Sequence, residues 1–169
     1  MSRMIKIVAV VLVFGFIVGL LCKHFIFTDQ RKIRKTMQRL QEEVSQPYTG
    51  NGLDLAVYAN TLKKYFANEV QIDIQDPSYG ALQLNGRDEL IQVAVAGRQA
   101  NPQVKFIFSN EQLSILQKGK SAMLTLTVTA ERANEPINPQ NLVFLLAKSD
   151  KGDWQIIRIE HAARNAAQP

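Results

Sequence analysis

Cysteine is nearly absent from this chain of 169 residues: the single one, Cys22, lies in an apolar run near the N-terminus. The rest of the chain can therefore form no internal disulfide and no thiolate metal site. Gly-rich phosphate loops, zinc-ligand spacings and Ser-His-Asp arrangements are also missing from the sequence. We therefore expect neither a bound metal nor a cofactor.

Strong positive charge is missing as well. The net charge is only +5, and five of the basic residues fall in one segment, from Arg31 to Arg39. In the predicted strands, Lys and Arg are not interleaved with aromatic residues as they are on nucleic-acid-binding surfaces. We expect no nucleic-acid partner, and the basic segment is instead placed to meet the head groups of a membrane.

Residues 5–27 form an almost wholly apolar run, broken by Lys6 near its start and by Lys23-His24 near its end. The uninterrupted part, Ile7–Cys22, is shorter than the roughly 20 residues that a spanning helix needs, but the flanking lysines can extend toward the interfaces. The run predicts a single membrane anchor over residues 1–27, with membrane lipid as its partner.

Two cleaved alternatives fit this run less well. A signal peptide has small residues shortly before its cleavage site, and these are hard to find at the end of the run. The segment Gly19-Leu20-Leu21-Cys22 resembles a lipoprotein cleavage box only loosely, because Leu21 stands where a small residue is wanted.

Basic residues on both sides of the anchor give conflicting signals about its orientation. Arg3 and Lys6 precede the uninterrupted part Ile7–Cys22, whereas Lys23 and the segment from Arg31 to Arg39 follow it, so a positive-inside count keeps the C-terminal domain in the cytoplasm. A short basic tail, an apolar run and a compact domain are, however, the ordinary layout of a signal anchor. We expect a single-pass protein of a bacterial inner membrane with its domain outside the cytoplasm, and the opposite orientation stays open.

A basic amphipathic helix is predicted over residues 28–47. Thr28-Asp29 can cap its start. Four apolar residues follow at the spacing of one helix face, namely Ile33, Met37, Leu40 and Val44. This helix either packs its apolar stripe on a sheet or lies on a membrane or a partner. It connects the anchor to a single domain over residues 48–165, which a tail of residues 166–169 follows.

The strand from Ser121 to Arg132 organises the rest of the domain. Its Leu124, Leu126 and Val128 alternate with threonines, and this period of two is typical of a half-buried strand. The other predicted elements are helices over Leu53–Ala67 and from Gly86 up to Asn101, and strands over Glu69–Ile74, Val104–Ser109 continuing into Gln112–Leu116, Leu142–Lys148 and Trp154–His161.

This order of elements resembles the nuclear transport factor 2-like superfamily, which includes SnoaL-like proteins and ketosteroid isomerase. The resemblance spans roughly Arg31 to Arg164; it is carried by Phe66-Ala67-Asn68-Glu69-Val70 leading into Gly86-Arg87, and by Trp154 of the last strand. It implies an α+β fold behind the N-terminal transmembrane helix, with helices packed on a strongly curved antiparallel sheet that forms a cone with a cavity on its concave side. A fold of this kind hosts many functions and by itself assigns none.

In such a cone the apolar row of the strand Ser121–Arg132 faces the helices, and the alternate row lies on the outer face of the sheet. Many members of the superfamily dimerise through this outer face. The candidates for a dimer face are Met123, Thr125, Thr127 and Thr129. The alternative is an ordinary solvent-facing β-surface.

The resemblance to ketosteroid isomerase raises the question of catalysis. Asp76, before a proline, stands near the position of the general-base aspartate of that enzyme, but the ungapped register puts Ile74 there. The strands Val104–Ser109 and Ala122–Ala130 have no acidic residue at mid-strand to complete an oxyanion hole. Asp73 and Asp76 are therefore only weak catalytic candidates.

Aromatic and polar side chains of the second helix and the last strand are the candidates for lining a ligand pocket. These residues are Tyr58, Tyr65, Trp154, Arg158, Glu160 and His161. Strand alternation puts Arg158 and Glu160 on one face with Trp154. It puts His161 on the opposite face, with Ile157. Such a set fits an anionic or polar ligand; the alternative is a surface ion pair and a terminal histidine outside any site.

Together these observations predict a membrane-anchored, non-catalytic module that binds a partner or senses a ligand at the cell envelope. Some envelope secretion-system components pair one anchor with the same fold, so an envelope protein is a reasonable partner. The alternative is a small-molecule enzyme of the isomerase, cyclase or hydratase type that uses the concave cavity. A cavity with a desolvated carboxylate or histidine would favour the enzyme, and one filled by Leu, Val and Phe would exclude it.

Overall fold

Three helices and a six-stranded sheet make up the computed structural model, which describes residues 28–76, 80–116, 119–132 and 135–162. The first helix, α1, spans residues 28–45. The elements that follow it are α2 (Gly52–Leu62), β1 (Phe66–Asp76), β2 (Gly80–Asn85), α3 (Arg87–Ala100), β3 (Lys105–Leu116), β4 (Ser121–Arg132), β5 (Glu135–Lys148) and β6 (Trp154–His161).

The predicted anchor in residues 5–27 and the predicted tail of residues 166–169 lie outside the described residues. Within the part of the chain that is described, no helix has the length and apolar character needed to cross a membrane.

The sheet is mixed and curved, with the strand order β2-β1-β6-β5-β4-β3. Neighbouring strands pair antiparallel except β1 and β6, which run parallel. The expectation of a wholly antiparallel sheet is therefore wrong at this seam, because side-chain alternation indicates which face is buried but not the direction of the neighbouring strand. Register shifts interrupt the β3–β4, β4–β5 and β5–β6 pairs, and such bulges bend a sheet.

The core lies between the helices and one face of the sheet. Leu124 and Leu126 of β4 are 0% and 1% exposed, and Ile33 and Met37 of α1 are both 0% exposed. Val128 is partly buried against the same cluster. The apolar row of β4 therefore faces the helices, as predicted, and the apolar stripe of α1 belongs to the domain core.

The end of α2 and the start of β1 differ from the sequence prediction. The helix ends at Leu62 and not at Ala67, because Phe66 already pairs with Ile156 of β6. The backbone N–H of Ile156 also donates to the carbonyl of Tyr65 at 2.8 Å. The sheet thus takes over residues whose apolar spacing also suited a helix.

The structure differs from the prediction at two strands, one of which is longer than the alternation pattern indicates and one of which is additional. β5 begins at Glu135, well before the predicted start at Leu142. β2 was not predicted at all: it is an edge strand of six residues in which only Leu84 is buried. Leu82 and Leu84 alternate with Gln83 and Asn85, but this alternation covers only four residues, the shortest length that indicates a strand.

A bulge in β6 changes which of its residues face the core. Leu145 pairs with Arg158 and Leu146 pairs with Ile156, so Ile157 is an extra residue in the strand. Because an extra residue reverses the alternation, Ile159 joins Ile156 in the core while Ile157 is exposed. The prediction that Arg158 shares a face with Trp154, and His161 with Ile157, is therefore wrong.

Candidate functional site

A cleft of about 800 Å³ opens between α1, the turn before β1, the start of α3 and the β5–β6 hairpin. We call it the basic cleft and define it by the residues that line it. These are Lys32, Lys35, Thr36 and Arg39 of α1, Lys64, Tyr65 and Asn68 around the start of β1, Arg87 of α3, and residues 149–155 of the hairpin.

Helix α1 supplies one wall of the basic cleft through its periodicity. Lys32, Thr36 and Arg39 are spaced by four and three residues, so they lie on one side of the helix. Each of them precedes a core residue of α1 by one position. The helix therefore buries an apolar stripe in the domain and presents a basic stripe directly beside it.

The hairpin between β5 and β6 supplies the opposite wall. Its turn is closed by two backbone hydrogen bonds of 2.8 Å, in which Gly152 N–H donates to the carbonyl of Ser149 and Ser149 N–H donates to the carbonyl of Asp153. Gly152 has a φ of +82°, a conformation that favours glycine. This turn carries Lys151 to the cleft.

Arg87 reaches the cleft from the start of α3. Its Nη1 donates to the carbonyl of Lys63, 3.4 Å away, at the C-terminal end of α2. The C-terminus of a helix carries partial negative charge, which favours a cation there. The Nε atom of Arg87 is buried and has no hydrogen-bond partner among the described residues.

Trp154 also lines the cleft and has an unpartnered donor. The side chain is 3% exposed, and its Nε1–H finds no acceptor in the described part of the chain. The Nζ atom of Lys148 lies 5.2 Å from the centroid of the Trp154 ring, within the range of a cation–π contact.

Positive charge dominates the basic cleft. Its lining includes six cationic and two carboxylate side chains, a formal excess of four positive charges in a chain whose net charge is +5. The ion pairs formed among the described residues are Lys148–Asp29 and Arg158–Glu160, and neither includes a cation that lines the cleft. Within the described ranges, this positive charge has no ion-pair partners.

The two predicted pocket tyrosines have different surroundings. Tyr65 lines the basic cleft, and burial raises the pKa of its hydroxyl, with the negative charge of Glu43 acting in the same direction. Tyr58 does not line the cleft: the Arg98 guanidinium carbon lies 4.1 Å from the centroid of its ring. Burial raises the pKa of Tyr58, and Arg98 offsets part of that effect.

Arg98 holds the connection that follows α1. Its Nη1 donates to the carbonyl of Glu43 at 3.3 Å, and its Nη2 donates to the carbonyl of Pro47 at 3.4 Å. Together with the stacked ring of Tyr58, these contacts fix the guanidinium between α2, α3 and the end of α1. These contacts give Tyr58 a packing role, and its role in a ligand pocket stays a prediction.

The predicted polar residues of β6 lie away from the basic cleft. Arg158 Nε and Glu160 Oε2 form an ion pair of 2.9 Å in which both side chains are well exposed. His161 pairs with Leu142 on the core-facing row, and its Nδ1 atom is buried without a partner in the described residues. Of the candidates on this strand, only Trp154 lines the cleft.

The two aspartates that are weak catalytic candidates both lie on β1. Asp73 lies between the core residues Ile72 and Ile74 on β1, so its side chain is on the other face of the sheet from His161. Its Oδ1 atom is buried and has no hydrogen-bond partner in the part of the chain described. Asp76 is the last residue of β1, opposite Gly80.

The outer row of β4 lies on the face of the sheet away from the helices. Met123 is 37% exposed and pairs with Leu145 of β5. The hydroxyl of Thr127 donates to Asn141 Oδ1 at 2.7 Å and accepts from Asn110 Nδ2 at 3.2 Å. These cross-strand bonds tie three strands together on the outer face.

Comparison with known proteins gives a structural match without a sequence match. No family model and no curated protein matches the sequence. The structure superposes on a protein with a cystatin-like fold from Novosphingobium aromaticivorans with a TM-score of 0.65 at 12% identity, covering 88% of this chain and 90% of that one. The fold is nuclear transport factor 2-like.

Two further structures share the nuclear transport factor 2-like fold. One is a candidate scytalone dehydratase from the same organism, with a TM-score of 0.58, 16% identity and coverage of 87% of this chain and 96% of that chain. The other is the yeast UBP3-associated protein BRE5, with a TM-score of 0.58, 15% identity and coverage of 78% and 92%. Identities this low show the fold alone.

Within this nuclear transport factor 2-like fold, sequence reasoning found part of the basic cleft. The basic segment from Arg31 to Arg39 was assigned to a membrane surface, and Tyr65 and Trp154 to a pocket. The cations Lys64, Arg87 and Lys151 are not indicated by the sequence, because they belong to three segments that are far apart in the chain. Only the fold brings these segments to one place.

Proposed function

We propose that this protein is a membrane-anchored, non-catalytic module with a nuclear transport factor 2-like fold, which binds a ligand or partner at a bacterial cell envelope. The apolar run in residues 5–27 supports the anchor, and in the sequence it ends directly before Thr28, the first residue of α1. The domain then lies on the outer side of the inner membrane.

The observation that carries the non-catalytic assignment is the filling of the helix-facing side of the sheet. Ile33, Met37 and Leu40 of α1 pack there with Leu124 and Leu126 of β4, and all five side chains are at most 3% exposed. An enzyme of this fold needs room for a substrate on that side, together with a desolvated acid or base. Apolar side chains occupy the part of this side that α1 covers.

The ionisable groups support the same conclusion. Asp29 is the one charged residue classed as buried among the described residues, and it forms an ion pair with Lys148. Asp73 and His161 each have a buried unpartnered atom, but they lie on opposite faces of the sheet. A pair of groups that cannot meet one substrate does not provide general acid–base catalysis.

A small-molecule enzyme of the isomerase, cyclase or hydratase type is the second candidate function. His161 favours it, because its unpartnered Nδ1 lies on the core-facing row of β6. One structure with the same fold is a candidate scytalone dehydratase, whereas BRE5 is described by its association with another protein. The fold is thus compatible with either function.

Membrane attachment is tested by alkaline carbonate extraction of cell membranes. The full chain should stay in the membrane pellet. Leu12→Lys combined with Phe16→Lys should release it, because each charge at the centre of a spanning helix costs about 2.5–3.5 kcal/mol. The matched control is Leu53→Lys with Val57→Lys, which adds the same charge at two exposed positions of α2. A full chain that is extracted like the double-lysine variant would contradict the anchor.

Orientation is tested with reporters fused after Pro169. Alkaline phosphatase is active only outside the cytoplasm, so we expect an active fusion. A reporter that functions only in the cytoplasm should be silent at the same position. The reverse pattern would place the domain in the cytoplasm and overturn the envelope assignment.

The enzyme alternative is tested by replacing the imidazole of His161. In a strain that lacks the gene, a chain with His161→Gln should restore the wild-type phenotype if the protein is non-catalytic. Failure of this variant, at normal abundance in the membrane, would support the enzyme. Asp73→Asn serves as the parallel variant on the opposite face of the sheet.

A further inference from the structure

We propose that the basic cleft is a binding site for a phosphate-bearing ligand. This ligand would be the one that the envelope module binds, so the inference rests on the proposed function and gives the chemical class that it recognises. A phospholipid head group and a soluble phosphate ester present the same group, and the experiment below separates these two sources.

The charge of the cleft selects for an anion. Six cations line it, and none is neutralised by an ion pair among the described residues. Asp150 and Asp153, the two carboxylates, belong to the hairpin turn. A like-charged or neutral ligand would leave the mutual repulsion of the cations in place, whereas an anion removes it.

The donors in the cleft favour phosphate among anions. Arg39 carries a planar guanidinium group, which matches two oxygens of a phosphate with two parallel hydrogen bonds. Arg87 adds its charge and the donors that its hydrogen bond to the Lys63 carbonyl leaves available. The lysines act as point charges for the remaining oxygens. Thr36 of α1 and Asn68 of β1 add neutral donors to the lining. A phosphate has enough acceptor oxygens to use several of these groups at once.

Two donors in the cleft are already buried without acceptors. Trp154 Nε1 and Arg87 Nε are buried and have no hydrogen-bond partner among the described residues. Trp154 is only 3% exposed. A buried donor without an acceptor is unfavourable. Both residues line the cleft, so a side-chain shift that brings either donor to the oxygen of a bound anion would remove that penalty.

The size of the cleft distinguishes a small ligand from a macromolecular surface. Its volume of about 800 Å³ lies within the range of roughly 300–1,000 Å³ that is usual for small-molecule sites. Walls from α1 and from the hairpin enclose it on two sides. A phosphate head group with its glycerol, or a phosphate ester of similar size, fits this space.

The position of the cleft brings it close to the proposed anchor. Lys32 is four residues beyond Thr28, the first residue of α1, which is about 6 Å of helix rise. Arg39 is about 16 Å from the same residue by the same rise. Because the Debye length is about 8 Å at physiological ionic strength, the nearer cations act on charges at the membrane surface. A head group of that membrane is therefore within reach.

The fluorescence of Trp154 provides the measurement, since it is the only tryptophan in the chain. The full chain is placed in nanodiscs of phosphatidylcholine, or of phosphatidylcholine with phosphatidylglycerol. In the first discs, inorganic phosphate and glycerol 3-phosphate are added as soluble probes. We expect anionic lipid, the soluble probes, or both to change the Trp154 emission in a saturable way. This change should weaken as the sodium chloride concentration is raised.

A triple variant tests whether the cleft itself is responsible. Lys32→Gln, Arg39→Gln and Lys151→Gln together remove three cations from its two walls. We expect the apparent affinity to fall by at least about tenfold, since charge-assisted hydrogen bonds are lost. The matched control removes the same charge from exposed positions elsewhere, with Lys105→Gln, Lys120→Gln and Arg132→Gln, and should bind like the wild type.

The outcomes distinguish a soluble ester from a lipid head group as the source of the phosphate. They also distinguish a failure of the phosphate site from a failure of the membrane anchor. A response to glycerol 3-phosphate in neutral discs, without a response to anionic lipid, assigns a soluble ester; the converse assigns the head group. No response to any probe, or an equal loss in the control triple, overturns the cleft as a phosphate site. Retention of the chain in the carbonate pellet is scored separately, so loss of the anchor is not mistaken for loss of the ligand.

Discussion

The Nζ atom of Lys148 lies 2.8 Å from Oδ2 of Asp29, which joins the last residue of β5 to the first turn of α1. Asp29 is 6% exposed, and the Lys148 side chain is about one-third exposed. The pair fixes the start of α1 against the β5–β6 hairpin. It therefore sets the distance between the two walls of the basic cleft.

Replacing only the lysine of this pair should lower the free energy of unfolding more than replacing both partners does. Lys148→Met should lower the free energy of unfolding by about 2 kcal/mol, because it leaves the Asp29 carboxylate buried without a partner. Adding Asp29→Asn to that variant should recover at least half of the loss. Urea unfolding of the full chain in detergent, followed by Trp154 fluorescence, measures both. The exposed-site control is Lys105→Met, and additive losses in the double variant would contradict the pairing.

Because of the bulge in β6, Ile157 and Ile159 should contribute differently to the stability of the domain. Ile159→Ala should destabilise the domain by about 2–4 kcal/mol, because Ile159 is 7% exposed and packs in the core. Ile157→Ala should change stability by no more than about 0.5 kcal/mol, since Ile157 is at the surface of the bulge. The urea midpoints of the two variants are compared directly. Equal losses would mean that the strand alternates without a bulge.

Alkaline pH should destabilise the fold through Tyr58. Burial raises the pKa of this hydroxyl above its ordinary value of 10.0. The folded state therefore holds the proton more tightly than the unfolded state, and the stability from this difference is complete below the ordinary pKa. It is lost as pH rises through the folded pKa.

The measurement compares urea midpoints at about pH 8 and about pH 10.5, on either side of the ordinary tyrosine pKa. The midpoint of the wild type should fall between these conditions, and Tyr58→Phe should fall less because the ionisable hydroxyl is gone. Tyr65→Phe should show the same behaviour, since burial raises that pKa too. An unchanged alkaline loss in both variants would show that other groups cause it.

The outer face of the sheet should mediate self-association if it is a dimer face. Met123→Arg with Thr125→Arg should then convert dimers to monomers, because the charges of two copies would meet across the contact. Sedimentation in detergent measures the mass, and the unfolding midpoint shows whether the domain is intact. Glu131→Arg, at the far end of the same strand, is the control. A wild type that is monomeric at all concentrations, or a variant that still dimerises, would exclude this face.

The sequence predicted those strands in which one row of side chains is buried and the other is not. Leu124 and Leu126 alternate with threonines, so β4 was found with its bounds. The alternation did not reveal β2, where only Leu84 is buried, or the parallel pairing of β1 with β6. It failed at Ile157 because an inserted residue reverses the faces and leaves no mark in composition.

The basic cleft was predictable only on the α1 side. Lys32 and Arg39 stand at helical spacing beside the core stripe, and that is a signal a sequence can give. Arg87 follows a glycine at a helix start, and Lys151 lies in a hairpin turn; either location is ordinary for an exposed cation. Their convergence depends on how the strands are ordered in the sheet, which side-chain periodicity does not encode.

The parallel pairing of β1 with β6 has a consequence for the order in which the sheet forms. β1 has only the edge strand β2 beside it until β6, the last strand in the sequence, arrives to fill the gap between β1 and β5. Contacts between elements so distant in sequence form late, because they require closure of a long loop. The core around Val70 and Ile72 therefore stays open until residues 154–161 are available. A chain that ends before β6 therefore lacks the strand that joins the β1–β2 pair to the β3–β4–β5 meander, so its sheet stays in two separate parts.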